Sequence, residues 1–182
     1  AKAMIATRSR LHAVRYKIAC DKYVKTKGYG FKTLVAFSGT VRDPDDGIDY
    51  TEASMNGCSE KQTADEFKRA EQKILIVASK FQTGFDQPLL YGMYVDKKLS
   101  GVAAVETLSR VNRTCPDKDE PIILDFGNDA DEIEKAFTPY YWETELSHGT
   151  DPNKLYDIQH KLSEFAIYSD KEVQEFAAVF FN

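Results

Sequence analysis

Ile74-Leu75-Ile76-Val77-Ala78-Ser79-Lys80-Phe81-Gln82-Thr83-Gly84-Phe85-Asp86-Gln87-Pro88, followed further on by Glu106-Thr107-Leu108-Ser109-Arg110-Val111-Asn112-Arg113, is the part of this sequence that decides the fold. Its first four residues form an unbroken apolar run, which suits a parallel strand buried on both faces. Met93-Tyr94-Val95 and Ile122-Ile123-Leu124 are runs of the same kind, and residues 101–112 between them read as a helix. Strands alternating with helices at this spacing require βαβ crossovers, so the sequence predicts an α/β fold with a mainly parallel sheet. Ligands of such sheets gather at the carboxyl ends of the strands.

Working outward, residues 3–6 form a further short apolar run, and Ser9 can cap a helix with Leu11, Val14 and Ile18 at helical spacing. That helix should stop near Gly28. A strand is expected over residues 33–37 and a helix over 60–70, separated by the turn-forming Asp43-Pro44-Asp45-Asp46-Gly47. From Asp129 onward the strand signal ends and helical patterns carry the aromatics Phe137, Tyr140, Tyr141, Trp142, Phe165, Phe176 and Phe180. Gly149-Thr150-Asp151-Pro152 reads as a turn within that stretch. The expected organisation is a three-layer lobe over residues 1–126 and the start of a helical unit over 127–182.

The chain has 182 residues, 42% hydrophobic and 29% charged, enough for one domain-sized core. Cys20, Cys58 and Cys115 lie far apart without C-x-x-C spacing, and their odd number speaks for a reducing, cytoplasmic setting over a disulfide framework. His12, His148 and His160 share no metal-ligand spacing, so no resident metal is expected. No apolar run approaches the ~18 residues of a membrane span, and no signal peptide is expected. The net charge of −5 is uneven. Residues 1–33 carry nine Lys/Arg against Asp21 alone, whereas residues 114–182 carry five against sixteen acids. The basic end could meet phosphate or be a solvated helix face.

Two stretches carry chemistry. Thr83-Gly84-Phe85-Asp86 follows a buried strand, so its glycine can admit a close ligand and Asp86 can accept from a sugar hydroxyl. On a continuous helix Glu106, Arg110 and Arg113 would share one face, opposite Ala104, Leu108 and Val111. Two guanidiniums projecting together suit charge developing on a transferring γ-phosphoryl group. A surface Glu106–Arg110 ion pair is the other reading of the same spacing. The acidic run Asp43, Asp45, Asp46, Asp49, Glu52 fails as a calcium loop because Gly47 falls one place early. Tyr140-Tyr141-Trp142 reads as helical core rather than a base-stacking platform.

In this order and spacing the two stretches resemble motifs V and VI of superfamily 2 helicases. Asp86-Gln87-Pro88-Leu89-Leu90, Tyr94-Val95-Asp96-Lys97-Lys98-Leu99 and Arg110-Val111-Asn112-Arg113-Thr114 further resemble the restriction subunit of type I restriction-modification enzymes. The resemblance implies a second RecA-like lobe of an ATP- and Mg²⁺-dependent translocase acting on double-stranded DNA. Modification and specificity subunits would be its protein partners. It further implies that Gly84 and Asp86 approach the nucleotide and that Arg110 and Arg113 reach across the cleft as catalytic groups. DNA-backbone contacts are implied for Thr7, Arg8 and Ser9, with Ser38, Gly39, Thr40, Ser79 and Thr83 as further candidates. Glu106 stands where that pattern often has glutamine, and a carboxylate there would repel phosphate. Neither a G-x-x-x-x-G-K-[ST] loop nor nuclease carboxylates are present, and the family keeps these upstream. The chain is therefore expected to be inactive alone. A repair-type helicase lobe and a non-catalytic docking module remain the alternatives.

Overall fold

The apolar runs become five strands of one all-parallel sheet. The computed structural model describes residues 1–81, 85–116, 118, 120–140 and 178. Strands β1 (Lys2–Thr7), β2 (Lys32–Ala36), β5 (Gln72–Val77), β6 (Leu90–Asp96) and β7 (Ile122–Asp125) lie in the order β2-β5-β1-β6-β7. β1 occupies the centre, with Ala3 opposite Ile74 on one side and Gly92 on the other. A small antiparallel hairpin, β3 (Thr40–Arg42) and β4 (Asp49–Thr51), brackets the Asp43 to Gly47 turn.

Two apolar clusters, one on each face, make the fold three-layered. Alternate strand residues point to opposite faces. Met4, Ala6, Leu75, Val77, Met93 and Val95 pack with Phe67, Ala104, Leu108 and Val111 on one face. Val35, Phe37 and Ile76 pack with Ala13 and Val14 on the other. Helix α1 (Arg10–Lys27) covers this second face. Ser9 caps it by accepting from the His12 N–H at 3.2 Å. It closes at Gly28, with φ +68°, where Tyr29 N–H donates to Val24 O in a Schellman arrangement. Its buried stripe runs through Ala13, Val14 and Lys17, and Ile18, expected inside, is 42% exposed. Lys17 compensates by burying its stem and placing its ammonium 2.6 Å from Asp21.

Three expectations need correction. The helix expected over residues 60–70 shrinks to α3 (Thr63–Glu66), and an unforeseen α2 (Glu52–Asn56) precedes it. Thr51 and Ser54 close a capping box at the start of α2. The helix expected over 101–112 is α-helical only as α4 (Gly101–Leu108), then tightens to a 3₁₀ turn, Ser109–Asn112, and is extended at Arg113. β7 is an edge strand and is not buried, with Ile122 55% and Leu124 45% exposed. α5 (Ala130–Phe137) packs with the cluster under α4 through Ile133, Ala136 and Phe137, within a compact unit that runs from Ala1 to Tyr140. The second unit, residues 141–182, falls outside the described residues apart from Ala178, as do the aromatics from Tyr141 onward and the turn at 149–152. No helix among the described residues is long and apolar enough to cross a membrane.

Candidate functional site

At the carboxyl edge of the sheet the strand ends bring Thr7-Arg8-Ser9, Ser38-Gly39-Thr40 and Ser79-Lys80 to one side of the lobe, as parallel strands must. Thr7 is buried, and its hydroxyl donates to Val77 O at 3.0 Å, tying β1 to β5. Arg8 and Ser9 are the exposed members of that triplet. Arg8 extends from β1 with its Nη2 2.8 Å from Asp96 Oδ1, while the other oxygen of Asp96 accepts the Tyr16 hydroxyl at 3.0 Å. Burial, and then the bond to Asp96, push the Tyr16 hydroxyl above its ordinary value. Arg10 donates to Ser38 O at 2.8 Å, and a Cβ on Gly39, with φ +76°, would stand 3.3 Å from that guanidinium. Ser38, Gly39 and Thr40 are exposed.

The turn after β5 is strained. Ser79 and Phe81 hold φ of +61° and +62°, a region non-glycine residues avoid, at a cost of order 1–3 kcal/mol each. Phe81 packs on Phe85 with ring centroids 4.9 Å apart, and Lys80 places its ammonium 2.8 Å from Glu52 and 3.1 Å from Glu60. Burial works against the Lys80 charge, but the two carboxylates outweigh it and hold the ammonium above its ordinary value. Glu52 is fully buried and also accepts the Phe37 N–H at 2.9 Å and the Thr63 hydroxyl. One turn of helix later, Asn56 accepts the Val35 N–H at 3.0 Å and donates to Val35 O at 2.7 Å. Together Glu52 and Asn56 satisfy the free edge of β2, which would otherwise invite another strand.

A second cluster forms on the crossover from β5 to β6. Thr83 and Gly84 lie outside the described residues. Phe85 is buried against Phe67 and Phe81, and its carbonyl accepts Nη1 of Arg110 at 3.1 Å. Arg113 brings Nε to 3.7 Å from Asp86 Oδ1, with both side chains open to solvent. The two arginines therefore do meet the Phe85-Asp86 segment, though not as neighbours on one helical face. Arg110 comes from the 3₁₀ turn and Arg113 from the extended residue after it. Ala104, Leu108 and Val111 form the buried side as expected, and Glu106 is exposed.

Sequence reading missed four residues that hold these segments: Glu52, Lys80, Asp96 and Lys118. The Lys118 ammonium donates to Val111 O at 2.5 Å, Arg113 O at 2.7 Å and Pro88 O at 3.3 Å, so it closes the 3₁₀ turn onto the start of β6. Desolvation lowers its proton affinity. Lys80 lies within the stretch after β5 that signals the fold, but its partners, like those of the other three, are set by tertiary pairing. The acidic turn is likewise occupied internally, since Arg15 reaches Asp43 at 2.6 Å and Asp45 at 2.7 Å. Among the described residues no group of three or more His, Cys, Asp or Glu gathers to hold a metal ion.

Comparison with known proteins adds the lineage. Residues 50–128 match the family described as type I restriction enzyme subunit R domain 3. The type I restriction enzyme MjaVIIP endonuclease subunit of Methanocaldococcus jannaschii is 36% identical over 137 residues, covering 68% of this chain and 13% of that protein. The MjaIXP endonuclease subunit of the same organism is 31% identical over 153 residues, covering 82% of this chain and 14% of its own length. The chain thus spans about one seventh of these relatives. Among solved structures it is similar to the C-terminal domain of the DEAD-box protein Dbp5, at 15% identity and a TM-score of 0.43, over 76% of this chain and 71% of that one. With matches of this kind in both the family and the individual relatives, the chain belongs to the type I restriction enzyme R-subunit family.

Proposed function

We propose that this chain is the second motor lobe of an ATP-dependent, DNA-translocating and DNA-cleaving type I restriction subunit, working in the cytoplasm with modification and specificity subunits on double-stranded DNA. The observation that carries this reading is the meeting of Arg110 and Arg113 with Phe85 and Asp86, two distant segments that a docking module has no reason to join. Guanidinium forks keep their charge at any working pH and suit a phosphoryl group whose charge grows in the transition state. In this mechanism the other lobe would hold ATP with its Mg²⁺, and Asp86 and Gly84 would be the groups of this chain that approach the nucleotide. Arg110 and Arg113 then stabilise the charge on the transferred group. Exposed hydroxyls and backbone amides at Ser9, Ser38, Gly39, Thr40 and Ser79, with the Arg8 guanidinium, grip DNA phosphate without reading sequence, and Thr83 is a further candidate from the motif. The Thr7 hydroxyl instead holds the sheet end on which Arg8 stands.

The test is steady-state ATP hydrolysis with DNA present. The isolated chain should show none, and the intact subunit should lose most of its DNA-stimulated rate on Arg113→Ala while keeping its thermal midpoint. Arginines acting this way contribute on the order of 10³ to 10⁵ in rate. Near wild-type turnover by Arg113→Ala would refute the assignment.

A further inference from the structure

Glu52 is fully buried, and a buried carboxylate is costly unless a cation and further hydrogen bonds satisfy it. Protecting the edge of β2 does not require that charge, because Asn56 serves Val35 with a neutral amide. Glu52 does more than guard that edge: beside the Phe37 N–H and the Thr63 hydroxyl it meets a cation. That cation, Lys80, comes from the turn between Ser79 and Phe81, whose left-handed backbone persists only where its surroundings over-determine it. The same Glu52 oxygen that meets Lys80 accepts the N–H of Phe37, the residue directly before Ser38-Gly39-Thr40. One carboxylate oxygen therefore ties together two of the loops at the carboxyl edge.

We propose that Glu52 and Lys80 are positioning residues for DNA engagement: their half-buried ion pair fixes the Ser79 turn against the Ser38-Gly39-Thr40 loop, so that both present one phosphate-gripping edge. This rests on the motor reading above. Neither residue touches DNA or nucleotide in this scheme. Their loss should raise the DNA concentration needed for activity and leave the ATP requirement in place.

The experiment uses the intact restriction subunit and reads three quantities: the DNA concentration giving half-maximal ATPase stimulation, the KM for ATP, and the thermal midpoint. Lys80→Met should raise the DNA requirement between about 10- and 100-fold, the size of effect expected from small misplacement of a remote support. KM for ATP should stay near wild type, and Lys80→Arg should recover most of the loss. If Lys80→Met leaves Glu52 too unstable to fold, the double variant Glu52→Gln/Lys80→Met removes both charges, and such neutral replacements of a buried pair are usually tolerated. It should fold and still need more DNA. A folded double variant with wild-type DNA requirement overturns the proposal, as does an equal loss in DNA and ATP parameters. Arg113→Ala, run alongside, separates the two levels. If it is inactive while the double variant keeps its DNA requirement, only the role of the pair fails. If it keeps its turnover, the motor reading fails and the proposal with it.

Discussion

Nε of Arg113 stands 3.7 Å from Oδ1 of Asp86, although the two residues belong to segments separated by the whole of β6 and α4. Both side chains are open to solvent, so this pair contributes little to stability, as exposed ion pairs generally do. Its significance is placement. Arg113→Lys should therefore melt like wild type yet remain at least about tenfold slower in DNA-stimulated ATP hydrolysis, a difference of about 1.4 kcal/mol in barrier height. An ammonium is a point charge and lacks the planar fork. Wild-type rates in the lysine variant would show that charge alone suffices there.

Lys118 holds the carbonyls of Val111 and Arg113, and thereby the extended backbone from which the Arg113 side chain departs. Lys118→Met keeps the stem and removes the donors. Hydrogen exchange should rise locally at residues 109–113 while β5 stays protected, and in the intact subunit kcat should fall with little change in DNA requirement. Unchanged exchange at those amides would mean that Lys118 is not what closes the turn.

The basic N-terminal segment divides in two. Arg10, Arg15 and Lys17 engage Ser38 O, Asp43 with Asp45, and Asp21, whereas Arg8 meets Asp96 yet stays largely exposed. Lys22, Lys25 and Lys27 are exposed at the far end of α1. DNA binding by this chain should consequently be weak, sequence-independent and steeply salt-sensitive. Replacing the three lysines with alanine should lower the slope of log affinity against log salt by up to about 2.7, at roughly 0.9 for each phosphate that is no longer neutralised. Fluorescence anisotropy across a salt series reads this directly. Tight, sequence-selective binding at physiological salt would contradict it.

Asp43 is held below its ordinary value of 3.8, first by the hydrogen bonds from Arg15 and then by the Asp45 N–H. A depressed carboxylate adds stability that is present above its unfolded value and disappears as pH falls through its folded value. Asp43→Asn should therefore lower the thermal midpoint at pH near neutral, and the gap to wild type should narrow as pH falls below the ordinary value of 3.8 and close only once pH passes the depressed folded value. An equal gap at both pH values would assign the loss to packing instead of charge.

Much of the fold was legible because hydrophobic patterning reports long elements well. Ile74 to Val77 could only be an interior strand, and Ser9 and Gly28 marked both ends of α1 by local chemistry alone. The shorter pieces escaped for the same reason. α2 is five residues long, and its purpose, satisfying the edge of β2 with Glu52 and Asn56, is set by a neighbour distant in sequence. The helix expected over residues 101–112 failed at its end because spacing does not reveal where a helix tightens, and Lys118, which holds the Val111 and Arg113 carbonyls, lies outside the motif. In the candidate site, the motif points to Arg110 and Arg113, which the structure brings to Phe85 and Asp86, whereas Lys80 and Asp96 gain meaning only from Glu52 and Arg8.

The central place of β1 bears on how the chain assembles. Its partners, β5 and β6, begin about seventy and ninety residues later, and both must be made before β1 has neighbours on both sides. Parallel pairing at such separation requires closing long loops before contacts stabilise them, which slows folding. Before β5 forms, β1 is an unpaired apolar strand, and α1, which also meets Val35 and Phe37, gains a continuous floor only when Ile74 to Val77 joins β2 to β1. Substitutions in β5 should thus be felt in the yield of folded protein as well as in its final stability, because that strand joins β2 and β1 into one sheet.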